Sequence, residues 1–344
     1  MSNQLFFHYD INKELLMLQR KKIIVIQTGG TICSTGKSTD EYYGSPDRDI
    51  YDLIEKSDHP EIEVEIISAT KTISHELGLT EIGHIVQITR ASLMSEDVFG
   101  VVVVAGTNAL EDIAYLFGLV IKSDKPMVFT GANFPRDSAM FDGKFNLYNA
   151  IVVAASEQAR KLGVVICLNG KVVTARNASK TSPGFMDDFN RHGYAGIGEV
   201  IGGCFKLAFF PNYRHTYKTE FSDLNVSHFS VPAVLYGTLG MSIEVVKAQI
   251  SCSNNKGIVL AGFGKGYFTN EISSYLKKTV DAGAVIVRCP RVSYCFTSTD
   301  PIYDERYGFI AGNGLSPQKA CILLAACLDH GFSKKEIARV FEEY

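Results

Sequence analysis

Short runs of β-branched and other apolar residues recur along the chain, with room for one helix between successive runs, and this rhythm restricts the fold more than any other feature. Lys22-Ile23-Ile24-Val25-Ile26-Gln27 comes first. Val64-Glu65-Ile66-Ile67, Val101 to Val104, Pro126-Met127-Val128-Phe129 and Gly163 to Leu168 follow. A continuous apolar run of strand length is the pattern of a strand buried on both faces. The intervening stretches, Thr80 to Leu93, Ala109 to Lys122 and Asn146 to Lys161, read as helices. Strand and helix in alternation predict an α/β domain on a parallel sheet covered on both sides.

At 344 residues the chain exceeds what one core comfortably serves, so two domains are expected. Asn212 to Ser230 shows no clear period and reads as a linker. A second, smaller α/β set follows it: strand Val231 to Tyr236, helix Ser242 to Ile250, strand Gly257 to Ala261, helix Thr269 to Asp281, strand Ala284 to Arg288 and a helical hairpin from Ser316. The expected division is an N-terminal extension over 1–21, a larger α/β domain over 22–211, a linker over 212–230 and a smaller α/β domain over 231–344.

Charge and cysteine usage narrow the function classes. Lys and Arg number 34 against 37 Asp and Glu, a formal net charge of −3, which offers no basic footprint for nucleic acid or an anionic membrane. No apolar run approaches the ~18 residues of a membrane helix. The eight cysteines form no CxxC pair and none stands at zinc-ligand spacing from a histidine. Most sit inside apolar runs such as Val164-Val165-Ile166-Cys167-Leu168, as buried free thiols of a reducing compartment would. Asp10, Lys13 and Glu14 interrupt what would be the apolar stretch of a signal peptide. A cytoplasmic protein is expected.

Ligands of doubly wound sheets bind outside the carboxyl ends of the strands. Three motifs stand at such ends: Thr28-Gly29-Gly30-Thr31-Ile32, Ala105-Gly106-Thr107-Asn108-Ala109-Leu110-Glu111-Asp112, and Thr130-Gly131-Ala132-Asn133-Phe134-Pro135, the last followed by Asp142-Gly143-Lys144-Phe145-Asn146-Leu147. Each has a plain structural reading. The first can be an ordinary glycine turn, Asn108 a helix N-cap, and Asp142 or Asn146 the cap of the next helix. Neither GxGxxG nor a phosphate loop fits.

Together the three are more specific. The chain resembles the bacterial-type L-asparaginase family, whose nucleophile is a threonine. That family carries TGGTI after its first strand, HGTDT..E after a middle strand, then GAM.P and DG..NL; here Thr28 to Ile32, Ala105 to Glu111, Gly131 to Pro135 and Asp142 to Leu147 stand in that order. Ser179-Lys180-Thr181 matches the stretch bearing the family's catalytic lysine. Tyr307-Gly308-Phe309 and Gly314-Leu315-Ser316-Pro317-Gln318-Lys319-Ala320 match its C-terminal motif.

The resemblance implies a two-domain α/β fold and homodimers, often paired into tetramers, with each active site shared between subunits. It implies Thr31 as nucleophile, activated by Tyr42 or by Tyr43, with Thr107 and Lys180 as a second catalytic pair. Gly30, Tyr43, Thr70, Lys71, Gly106, Asn108 and Ala132 would hold the substrate. The chemistry agrees. A threonine hydroxyl needs a positioned base. A partly buried lysine can lose its proton and draw one from Thr107. Glycine-turn N–H groups can stabilise an oxyanion. Taken alone, Lys180 reads as a solvated surface lysine, and the family context reverses that. The reaction class is acyl transfer to water, with no metal or other cofactor required.

The departures from the family fall in the substrate pocket. Ala105 replaces a histidine. Asn108 replaces the aspartate that, in the family, binds the substrate's α-ammonium, and a charge-assisted bond is roughly twice as strong as a neutral one. In Ala69-Thr70-Lys71-Thr72-Ile73-Ser74, Thr70 keeps a hydroxyl while Lys71 adds a cation. On the side that would serve a partner subunit, Pro301 in Asp300-Pro301-Ile302-Tyr303 takes an acidic position, and Tyr267 in Gly264-Lys265-Gly266-Tyr267 falls where the family has an asparagine. Drift after loss of catalysis would leave such changes, but drift would not be expected to spare Thr31, Thr107 and Lys180. The sequence therefore predicts an amidohydrolase of small linear carboxamides, retuned toward an amide that lacks a free α-ammonium or carries extra negative charge. A silent small-molecule-binding homologue and an acyltransferase using the same acyl-enzyme remain as alternatives.

Overall fold

A computed structural model describes residues 20–38, 47–55, 61–181, 196–252, 256–292 and 295–344. Apart from Arg20 and Lys21, the expected N-terminal extension lies outside them.

The first unit runs β1 (Lys21–Gln27), β2 (Ile62–Ser68), α1 (Leu79–Met94), β3 (Val98–Val104), α2 (Leu110–Val120), β4 (Met127–Thr130), α3 (Gly143–Ala154), β5 (Val164–Leu168), β6 (Lys171–Thr174), β7 (Gly198–Ile201) and β8 (Cys204–Leu207). Its strands form an eight-stranded sheet among the described residues, in the order β2-β1-β3-β4-β5-β6-β7-β8. The β1, β3 and β4 runs are buried almost throughout, as their composition predicts. Residues of alternating parity from them feed two cores, one on each face. Ile24, Ile26, Val101 and Val103 join α1 and α2, while Ile23, Val25, Val102 and Val104 join α3. Removing such side chains from water supplies about 1.5–3 kcal/mol each.

Three expectations need correction. The sheet is mixed, because β6, β7 and β8 are antiparallel to their neighbours. The Val64 to Ile67 run lies in the edge strand β2, so its residues are only partly covered. The helix expected to reach Lys161 stops at Ala154, where Ser156 turns extended and caps a 3₁₀ turn, Glu157–Ala159, by accepting the Gln158 N–H.

The second unit runs β9 (Ala233–Tyr236), α4 (Ile243–Cys252), β10 (Gly257–Gly262), α5 (Asn270–Asp281), β11 (Val285–Pro290), α6 (Tyr303–Tyr307), β12 (Ile310–Ala311), α7 (Pro317–His330) and α8 (Lys334–Glu343). Among the described residues its strands are four, parallel in the order β12-β11-β10-β9. The segment between the two sheets is well packed despite its lack of period. Phe221, Val226 and Phe229 are buried, and the Tyr344 hydroxyl accepts the Glu220 N–H at 2.9 Å.

No described helix is long and apolar enough to cross a membrane. Among the described cysteines, Cys33, Cys167, Cys289, Cys321 and Cys327 are free and buried, Cys295 is half-buried and Cys204 exposed.

Candidate active site

Strand register brings the three motifs together. Gln27 at the end of β1 pairs with Ser68 of β2 and with Val104 of β3, and Val104 pairs with Thr130 of β4. The turns that follow all leave the sheet at one level, with β2 and β3 on opposite sides of β1. That reversal of strand order is where open α/β sheets hold ligands. Gly30 adopts φ 83°, and a Cβ there would strike the Gly106 backbone. Only glycine admits that approach, and it sets the Thr31 and Thr107 turns side by side. Thr31 opens a 3₁₀ turn, Thr31–Cys33, and is 8% exposed. The Arg136 Nε–H donates to the Ile32 carbonyl at 2.9 Å, pinning that turn.

Lys180 arrives from the segment after β6. Its Nζ lies 2.8 Å from Thr107 Oγ1 and donates to Asn108 Oδ1 at 3.2 Å. The Lys180 backbone N–H donates to Glu111 Oε2 at 3.0 Å, and Gln318 Nε2 donates to Glu111 Oε1 at 3.1 Å. Lys319 is 2% exposed; its Nζ donates to the Ala178 carbonyl and, at 3.2 Å, to the Arg176 carbonyl. The N-terminal turn of α7 in the second unit thus grips the segment that carries Lys180. Asn108 reaches His75 Nδ1 with its Nδ2 at 3.3 Å. It caps no helix: the N-cap of α2 is Ala109, whose backbone N–H donates to Ser74 Oγ at 3.1 Å.

Asp142 and Asn146 are braces rather than side-chain caps. Asp142 accepts the backbone N–H groups of Asn133 and Phe134 at 3.0 and 3.1 Å. Burial holds its carboxyl above the ordinary aspartate range, against the lowering effect of those N–H donors. Asn146 Nδ2 donates to the Gly131 carbonyl at 3.0 Å, and Asn146 Oδ1 accepts the Asn169 N–H at 2.8 Å. Both residues hold the turn carrying Ala132, which is buried.

The residues after β2 form the open side. Thr70 Oγ1 and Thr72 Oγ1 are 2.8 Å apart. Lys71 Nζ is 3.0 Å from Asp49 Oδ1. That ammonium, followed by the Gln27 amide, holds the Asp49 carboxyl below its usual range. The cation added by Lys71 therefore comes with its own anion.

Thr31, Thr107, Gly30, Gly106, Asn108, Ala132, Thr70 and Lys71 all lie on the turns at this end of the sheet, and Lys180 reaches them from the segment after β6. Tyr42 and Tyr43 lie outside the described residues. Sequence reasoning missed Asp49, His75, Gln318 and the role of Glu111. His75 stands one residue beyond the segment it singled out, and Gln318 lies inside a quoted motif. In the second unit the Tyr267 hydroxyl donates to Asp300 Oδ2 at 2.8 Å, beside Pro301. Among the described residues no group of His, Cys, Asp and Glu could hold a metal ion.

Two family profiles match. "Asparaginase, N-terminal" covers residues 22–209, and "Glutaminase/Asparaginase C-terminal domain" covers residues 233–341. A probable periplasmic L-asparaginase of Haemophilus influenzae is 30% identical over 328 residues, spanning 94% of this chain and 93% of its own. L-asparaginase 2 of Bacillus subtilis is 30% identical over 94% of this chain and 86% of its own. A glutaminase-asparaginase of Pseudomonas fluorescens is 30% identical over 94% and 90%. Both units, their order and the turns between strand and helix therefore have one common origin: the chain belongs to the asparaginase family.

Proposed function

We propose that the protein is an amidohydrolase that cleaves a small linear carboxamide through a threonine acyl-enzyme and releases ammonia. The observation that carries this reading is the Lys180 amine 2.8 Å from the Thr107 hydroxyl, beside the turn that holds Thr31. Relatives named L-asparaginase and glutaminase-asparaginase support the reaction class.

Thr31 Oγ1 adds to the amide carbon, and its proton passes to a base. Backbone N–H groups of the glycine turns stabilise the oxyanion. The carbon–nitrogen bond breaks, and that proton leaves on the departing ammonia. Water then adds to the acyl carbon, giving a proton through Thr107 to neutral Lys180. Collapse frees the acid, and the stored proton returns to Thr31. Each positioned acid or base contributes roughly 10²–10⁴-fold.

The substrate lacks a free α-ammonium. Asn108 offers an amide where a carboxylate would attract that cation, and the charge of Lys71 is matched by Asp49. The pocket mouth is thus depleted of negative charge without becoming strongly positive. An N-acylated asparagine or a succinamate-like amide fits better than free L-asparagine. The test is ammonia release from a panel of such amides beside L-asparagine; a wide preference for L-asparagine refutes the specificity claim. Thr31→Ala must abolish turnover of whichever amide is used, and it also separates hydrolysis from mere binding. Product analysis with added amine or thiol acceptors separates hydrolysis from acyl transfer to another nucleophile.

Self-association belongs to the same reading, with sites shared between subunits. Exposed Val234, Tyr236, Leu239, Phe296 and Ile302 give the smaller domain apolar surface for a second copy. Sedimentation of the full chain tests this, and a monomer at micromolar concentration refutes it. Buried free thiols favour a reducing compartment, the cytoplasm.

A further inference from the structure

The neighbours of Asn108 dictate which way its amide faces. Lys180 Nζ can donate hydrogen bonds to Asn108, so Oδ1, 3.2 Å away, is the accepting end. Nδ2 consequently faces His75 Nδ1, at 3.3 Å. Since Nδ2 can only donate, Nδ1 must be the bare ring nitrogen and Nε2 must carry the proton.

A carboxylate at position 108 could accept hydrogen bonds at both ends. An amide cannot, and a partner that accepts its Nδ2–H on the far side from the lysine reinforces the orientation that the lysine sets. If Asn108 flipped, Nδ2 would face Lys180 Nζ, donor against donor. The lysine would lose an acceptor that directs it, and its lone pair would no longer be held toward Thr107.

We propose that His75 is a positioning residue of this site: by accepting the Asn108 Nδ2–H, it fixes the Asn108 carbonyl on Lys180 and so aligns the Lys180 amine with Thr107. The proposal deepens the amidohydrolase reading and rests on it for its kinetic consequence, while its structural consequence stands apart.

The experiment pairs two readouts on the full chain. Long-range ¹H–¹⁵N spectra of histidine-labelled protein, with His75 assigned from His75→Gln, should show the Nε2–H tautomer with Nδ1 bare. Asn108→Leu should release the ring into a mixture of tautomers. With the best amide, His75→Ala should lower kcat about tenfold, the worth of one hydrogen bond, with KM changed less than about twofold. His75→Gln, whose Oε1 can accept the same N–H, should recover most of that loss. An Nδ1–H tautomer in the wild type, a tautomer indifferent to Asn108→Leu, or wild-type kcat in His75→Ala overturns the proposal. A His75→Gln enzyme as slow as His75→Ala overturns it too. If no amide yields ammonia, the amidohydrolase reading fails while the tautomer measurement still decides the role of His75.

Discussion

Lys180 Nζ lies 2.8 Å from Thr107 Oγ1, across 73 residues of sequence. In the mechanism we propose the lysine acts as a base, which requires a group able to give up its proton. Lys180→Met should therefore lower kcat by roughly 10²–10⁴-fold. Lys180→Arg should be no better, because a guanidinium stays protonated. Both are measured by ammonia release from the preferred amide; near-normal turnover in Lys180→Arg would rule out the base role.

The grip of α7 on the Lys180 segment makes a second prediction. Glu111 is buried, with its two carboxylate oxygens taken by the Lys180 N–H and by Gln318 Nε2. Gln318→Leu strands Glu111 Oε1 and should cost about 1–3 kcal/mol in urea unfolding. Gln318→Glu sets a second carboxylate against the first and should cost more. Because Glu111 also holds the lysine backbone, kcat should fall in both variants. Unchanged stability in Gln318→Leu would mean that the contact carries no weight.

The parallel core was legible because Ile23 to Gln27 and Val101 to Val104 are buried on both faces and advertise it in composition. The antiparallel extension was signalled more locally. Asn169-Gly170, with φ of 50° and 72°, is a two-residue hairpin turn of the kind that Asn-Gly specifies, and Gly202-Gly203 joins β7 to β8. Those strands are four residues each, too short for periodicity to show. Thr31 and Thr107 could be named from motifs tied to strand ends, and Lys180 only through the family resemblance of Ser179-Lys180-Thr181. His75 and Gln318 could not, since each gains its role from one contact with a residue distant in sequence. The pairing of Lys71 with Asp49 was hidden for the same reason: the sequence shows two charges 22 residues apart and nothing that joins them.

Within the second unit, Arg288 and Asp304 form a buried ion pair, 0% and 2% exposed at the side chain. Arg288 Nε donates to Asp304 Oδ1 at 2.7 Å, and Asp304 Oδ2 also accepts the Asp300 N–H at 2.7 Å. The pair thereby anchors the Asp300-Pro301 segment. Arg288→Met leaves a buried carboxylate uncompensated and should cost about 3–5 kcal/mol. Adding Asp304→Asn removes the charge and should return part of that loss. Denaturant unfolding of the two variants checks this; a double variant less stable than the single one would contradict it.

Two half-buried groups give the stability of the protein opposite dependences on pH. Burial, reinforced by Lys218, pulls His215 from its ordinary 6.5 down to about 4. The unfolded chain then holds a proton that the folded one refuses, so stability present above pH 6.5 is lost as pH falls toward 4. Burial, with the Glu111 charge behind it, pushes Asp112 from 3.8 up to about 6. Here the folded chain holds the extra proton, so stability present at low pH is lost as pH rises through 6. Each contribution is about 3 kcal/mol in full, and over pH 4 to 6 they largely cancel. Asp112→Asn removes one side of the balance, so the variant should lose about 2–3 kcal/mol more than the wild type on acidification through that window. His215→Gln should shift the dependence the other way. Lowered carboxylates such as Glu220 and Glu343 add their own acid loss, but they are common to all three proteins and drop out of the differences. Denaturant unfolding at several pH values gives the slopes, and parallel curves for wild type and Asp112→Asn would show that Asp112 does not titrate in this range.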